Sequence, residues 1–145
     1  VKPKSYRKKA SGRTLKAPAP PDPRATQVVQ QVLAELPDLL AVAVVDVSSG
    51  ASLAAHTTTP EFDPATAAAY NAEVVKHKLK ALTALQLASE TIEDILITLT
   101  SQLHLLRLTG NGGRFIYLVV DSSTTNLGIA RAVLRAQVER LEPAT

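Results

Sequence analysis

The sequence predicts one layered α/β domain built on a five-stranded, mostly antiparallel sheet. Three observations carry that expectation. Stretches with helical apolar periodicity open, divide and close the folded part of the chain, and short runs rich in Val, Ile and Leu lie between them. The turns that join those runs are too short for a helical crossover, so neighbouring strands must run antiparallel. The resulting order is α-β-β-α-β-β-β-α, with a long helix between the two groups of strands.

Residues 1–24 stand apart from this pattern. They have almost no apolar content, and Pro18, Pro20, Pro21 and Pro23 close the segment, which reads as a flexible basic tail on a stiff, extended proline linker. Residues 25–145 form the domain. The first helix is expected from about Arg24 or Thr26 to Leu36, with Val28, Val29, Val32, Leu33 and Leu36 on its apolar face and Pro37 as its stop. Leu40 to Val47 is β-branched and reads as a strand buried on both faces. Ser48-Ser49-Gly50 is a turn, and Ser52 to His56 pairs back as the second strand of a hairpin.

After a polar loop from Thr57 to Phe62, Asp63 caps a long helix with Pro64 at its first position, where a missing N–H costs nothing. This helix is expected to reach about Ala88. At 100° per residue, Ala68, Ala72, Val74, Val75, Leu79, Ala81, Leu82 and Leu85 share an arc of about 180°, with Glu73, Lys76 and Lys80 opposite. A helix covering one sheet needs an apolar stripe of only about 100°. The excess width predicts contact with something beyond its own sheet. Lys78 falls inside the arc, either snorkelling to solvent or bordering a seam between two copies and meeting a carboxylate there.

Three strand-like runs follow, Ile92 to Leu99, Leu103 to Leu108 and Phe115 to Val120. Thr100-Ser101 makes the first connection tight, and Thr109-Gly110-Asn111-Gly112-Gly113 makes a glycine hairpin loop of the second. Thr124 or Thr125 caps a closing helix from Leu127 to Leu141, with Leu127, Ala130, Leu134, Val138 and Leu141 facing inward.

Composition narrows the function classes. The 145 residues include no Cys, Met or Trp, so no disulfide framework exists. The longest apolar run, Leu39 to Val45, is far short of the roughly 18 residues of a membrane span. The basic N-terminus continues into Lys16-Ala17-Pro18-Ala19-Pro20-Pro21, where a signal peptide would place its apolar stretch, so the cytoplasm is the expected location. The net charge of +3 hides an asymmetry. Lys2, Lys4, Arg7, Lys8, Lys9, Arg13 and Lys16 belong to the tail, which has no acid among residues 1–16. Residues 17–145 carry nine basic and thirteen acidic groups. The domain is mildly acidic, and only the tail offers a surface for nucleic acid or another polyanion.

No catalytic constellation emerges. His56, His77 and His104 lack short ligand spacing, and there is neither a Gly-x-Ser-x-Gly elbow nor a Cys nucleophile. Glu93 and Asp94 are adjacent in a strand and point to opposite faces. The glycine loop joins two strands, whereas phosphate-binding loops lead into a helix, and its flanking Arg107 and Arg114 are candidates only for touching an acidic partner or a phosphate. No cofactor, metal or enzymatic role is expected.

Two stretches bear a family likeness. Leu36-Pro37-Asp38-Leu39 followed by Ala41-Val-Ala-Val-Val-Asp46 and a Ser-Gly turn, together with Thr125-Asn126-Leu127-Gly128-Ile129-Ala130-Arg131, resemble the Roadblock (dynein light chain) domain. The likeness runs from about Val28 to Leu141, while Thr98 to Gly113 is more polar and glycine-rich than the family pattern. Asn126 suits a helix cap, and Gly128 lets the last helix sit close to the sheet. The resemblance implies a five-stranded sheet with the long helix on one face and the terminal helices on the other. It also implies a homodimer made by pairing third strands and packing long helices, with Val74, Val75, Lys78, Ala81, Leu82, Leu85, Ile95, Leu96 and Ile97 at the seam. An unpaired Ile95-Leu96-Ile97 edge would otherwise be an aggregation hazard. Bacterial members of that family stimulate small Ras-like GTPases by ordering the GTPase's own site, and eukaryotic members sit in motor and scaffold complexes. The implied function is a homodimeric, non-enzymatic regulator or scaffold for such a GTPase. The alternative is an anionic-surface or nucleic-acid binding module that uses the tail.

Overall fold

The structure, a computed structural model, describes residues 22–142, so the seven basic side chains of the tail lie outside the described residues. The elements are α1 (Pro23–Glu35), β1 (Ala41–Asp46), β2 (Ser52–Thr57), α2 (Pro64–Ala84), β3 (Asp94–Thr98), β4 (Gln102–Leu108), β5 (Arg114–Asp121) and α3 (Leu127–Val138), followed by a 3-10 turn over Glu139–Leu141. The order α-β-β-α-β-β-β-α is the expected one. All four strand pairings are antiparallel, and the sheet order is β2-β1-β5-β4-β3.

Strand alternation divides the core into two layers, because successive side chains point to opposite faces. Val42, Val44, Leu105, Ile116, Leu118 and Val120 meet α1 and α3 on one face. Ala41, Ala43, Val45, Leu106, Phe115 and Tyr117 meet α2 on the other. The strand β1 is buried on both sides because helices cover both of its faces.

Helix boundaries differ from the expectation in four places. Pro23 is the first residue of α1 and does not close a linker: the Asp22 carboxylate accepts from the backbone N–H groups of Arg24 and Ala25, satisfying donors that a helix start leaves open. The long helix α2 stops at Ala84 and does not reach Ala88. Gln86 adopts φ of 60°, and the N–H groups of Gln86 and Leu87 donate to the carbonyls of Thr83 and Leu82, the paired bonds of a Schellman ending. The cap of α3 is Asn126, the residue the family resemblance suggested, whose side-chain oxygen accepts from the Ile129 N–H, and not Thr124 or Thr125. The same α-helix ends at Val138 and not at Leu141, with Glu139–Leu141 in the 3-10 turn. In addition, β3 begins at Asp94, two residues after Ile92.

Candidate functional site

On the α2 face, apolar surface stays open among the described residues. α2 lies over β1 and β2, and only Ala68, Ala72 and Val75 of it are buried. At 100° per residue those three span about 60°, within the stripe of about 100° that one sheet requires. The rest of the apolar arc stays open: Leu79, Ala81 and Leu82 are half-buried, Val74 is 37% exposed and Leu85 67% exposed. At the opposite end of the sheet β3 pairs with β4 alone, leaving its outer edge without a strand partner among the described residues. Ile95 and Ile97 stand half-buried on this face, and Leu99 is exposed just beyond.

The two features meet. Lys78, Ala81, Leu82, Leu85, Ile92 and Ile95 surround an apolar hollow of about 270 Å³ between the C-terminal half of α2 and the start of β3. Four of the residues expected at a seam, with Lys78, therefore share one surface. Val75 does not, because it packs wholly against its own sheet. Leu96 does not either, because it points to the other face and packs with the α1 and α3 layer. Lys78 is exposed and has no ion pair among the described residues. Sequence reasoning missed Leu87, which is exposed immediately after the helix, and Tyr70, which is 73% exposed on its first half. The signal for Tyr70 was present, a large ring outside the apolar arc of a helix.

A hydrogen-bonded chain flanks this face. His104 lies opposite Ile97 in the β3–β4 register, with Nε2 2.9 Å from Gln102 Oε1 and Nδ1 2.8 Å from the Tyr117 hydroxyl. The pattern suits a neutral ring that donates from Nε2 and accepts at Nδ1. Burial holds the His104 pKa below its ordinary value. Burial likewise raises that of Tyr117, against a smaller opposing contribution from Asn71. The Phe62 ring stacks on Tyr117 with centroids 6.1 Å apart.

The remaining candidates lie outside the apolar hollow. Arg114 donates to Asp22 at 3.0 Å across the base of α1, and Arg107 is half-buried with its Nε enclosed. Arg114 is thus engaged in an ion pair, whereas the Arg107 Nε has no hydrogen-bond partner among the described residues. Asp46 sits beside Arg114: burial alone would raise its pKa, but hydrogen bonds from Ser49 and Ser48 and the Arg114 charge outweigh this and lower it. The glycine loop is a hairpin turn, closed by Thr109 N–H to the Arg114 carbonyl at 2.9 Å, with Gly112 at φ of 72°. Glu73 pairs with Lys76 at 3.3 Å, leaving His77 exposed. Among the described residues no three His, Asp or Glu side chains gather as metal ligands, and no helix is long and apolar enough to cross a membrane.

At the far end of the sheet, the two stretches that carry the family likeness come together. Leu36, Pro37, Asp38 and Leu39 face Thr125, Asn126 and Ile129 across a second hollow of about 240 Å³. Pairing of β1 with β5 is what joins them.

No protein-family model matches the chain, and no curated protein matches it in sequence. Solved structures do match. MglB of Myxococcus xanthus superposes with a TM-score of 0.72 at 14% identity, over 81% of this chain and 84% of that one. The gliding protein MglB of Thermus thermophilus gives 0.70 at 20% identity, over 86% and 94%. A Roadblock/LC7 domain from Streptomyces avermitilis gives 0.68 at 11% identity, over 80% and 92%. The chain has the Roadblock/LC7 fold. Within that Roadblock/LC7 frame, the open face consists of the C-terminal half of α2 and the outer edge of β3.

Proposed function

We propose that this chain is a homodimeric, non-enzymatic regulator or scaffold that binds a small Ras-like GTPase. The observation that carries the reading is the open face itself. Leu82, Leu85, Ile92 and Ile95 surround an apolar hollow beside an unpaired strand edge, and a second copy would cover both at once. Apolar surface of this kind gains about 25 cal/mol per Å² when removed from water. An unpaired edge gains by completing its ladder with another chain. Pairing β3 with its symmetry mate makes a self-complementary contact, the form most homodimers take.

The GTPase assignment rests on the resemblance and on the Roadblock/LC7 fold. A regulator that orders its partner's catalytic groups needs no nucleophile, base or metal of its own, because the rate gain comes from positioning. The ion pair of Arg114 with Asp22 favours such ordering over donation of an arginine finger from that residue. The test is stimulated GTP hydrolysis or co-purification with a Ras-like GTPase encoded beside this gene. Binding that persists in a chain lacking residues 1–16 supports the reading. Loss of all binding with that deletion favours a polyanion-binding module.

A further inference from the structure

We propose that the hollow between the end of α1 and the start of α3 is a docking site for this chain's own N-terminal segment, with Leu15 in the hollow and Arg13 and Lys16 against Glu35 and Asp38. The proposal is independent of self-association and of any GTPase.

The hollow is apolar inside and acidic at the rim. Leu36, Leu39, Val120 and Ile129 line it, and Glu35 and Asp38 border it. Ile129 is 57% exposed, a large aliphatic side chain on the first turn of α3 with nothing over it among the described residues. The charge of this end of the molecule is one-sided. The strand register brings residues 35–40, 57–63, 99–102 and 121–126 to the same end of the sheet. Those segments contain Glu35, Asp38, Glu61, Asp63 and Asp121, and no Lys or Arg. The opposite end mixes Arg24, Arg107, Arg114 and Arg135 with its carboxylates. A basic segment is therefore drawn to one end only.

The tail has the matching chemistry. Residues 1–16 carry seven basic side chains and no acid, and Leu15 is an aliphatic anchor flanked by Arg13 and Lys16. The distances also agree. From Asp22 to Glu35, α1 spans about 20 Å at about 1.5 Å per residue. From Asp22 back to Leu15, a proline-rich stretch at about 3.1 Å per residue spans about 22 Å. A segment turned back along α1 thus brings Leu15 level with the hollow. Its starting point is fixed, because Asp22 both caps α1 and pairs with Arg114. Beyond Arg24 on its first turn, the exposed face of α1 along the way, Gln27, Gln30 and Ala34, carries no charge.

The chain contains no Cys, so one Ala17→Cys substitution in the full chain gives a single site for a nitroxide spin label. The expected result is loss of amide signal at Leu36, Asp38, Asn126 and Ile129, restored when the label is reduced. Glu35 and Asp38 are exposed, so the double variant Glu35→Lys, Asp38→Lys keeps the fold, and in it the loss disappears. Leu15→Asp removes the loss as well. Full signal at those four amides would overturn the proposal, as would a loss that survives charge reversal. Mixing spin-labelled chains with isotope-labelled, label-free chains reports contact between copies. A loss at the hollow in that mixture would assign the docking to a second copy and overturn the intramolecular contact.

Discussion

Asp94, the first residue of the edge strand β3, holds Arg131 of α3 through two bonds, Oδ2 to Nε at 2.9 Å and Oδ1 to Nη2 at 3.3 Å. Its paired geometry makes it stronger than a single-contact surface pair. It braces β3 from the terminal-helix side while the strand's other face and outer edge stay open. Both side chains are partly exposed, so the contribution is modest, about 0.5–1 kcal/mol. Arg131→Ala is expected to lower stability by that amount and to speed hydrogen exchange in β3 and β4 more than in β1. Uniform exchange across the sheet would contradict the bracing role.

Asp22→Ala removes a helix cap and the partner of Arg114 together. Cap loss alone costs about 1 kcal/mol. Urea unfolding should show a loss of about 1–2 kcal/mol. A neutral substitution would mean that neither the cap nor the pair with Arg114 contributes to stability.

Gln86→Gly should stabilise the protein. Gln86 sits at φ of 60°, where an L side chain crowds the following carbonyl and glycine does not. The expected gain is about 1 kcal/mol. A loss on the same unfolding measurement would show that the Gln86 side chain makes a compensating contact.

Acidification should weaken the fold through His104. Its folded pKa lies below the ordinary value because burial disfavours the charged ring, so the unfolded chain binds this proton first. As pH falls from about 6.5 towards the lowered folded value, stability from this group declines, and below that value the penalty is constant. Urea midpoints measured from pH 7.5 to 5 should fall for the native chain and fall less for His104→Gln. Equal slopes would remove His104 from the account.

Much of this fold was legible because two periodicities, 2 and 3.6, mark its layers directly. The order of eight elements, the Ser48-Ser49-Gly50 hairpin and the Asp63-Pro64 helix start follow from local chemistry that the tertiary structure leaves intact. The same Asp-Pro signal at Asp22-Pro23 was hidden among neighbouring prolines. The end of α2 was misplaced because Leu85, Leu87 and Ala88 are good helix formers and no glycine marks the left-handed stop at Gln86. For the open face, the width of the apolar arc identified the helix. Which of its residues were spare depended on how the sheet beneath is placed, so Val75 fell inside and Leu85 outside. The hollow beneath Ile129 was not legible at all, since its two walls are distant in sequence and meet only through the β1–β5 pairing.

Lys78→Ala tests the seam at its charged margin. If Lys78 meets a carboxylate of a second copy, truncation should weaken self-association several-fold and make it less sensitive to salt. An unchanged association constant by analytical ultracentrifugation would leave Lys78 as a solvated side chain.

The most direct test of the central claim is the solution mass by light scattering of the native chain and of Leu85→Asp. The native chain should have about twice 15.4 kDa, the tail-less chain twice its own correspondingly smaller mass, and the variant a mass near 15.4 kDa. Leu85 is mostly exposed in the single chain, so the variant should still fold, with native-like circular dichroism and a urea midpoint that no longer depends on protein concentration. A native chain that stays monomeric at micromolar concentration, or a Leu85→Asp variant that remains dimeric, would contradict the account.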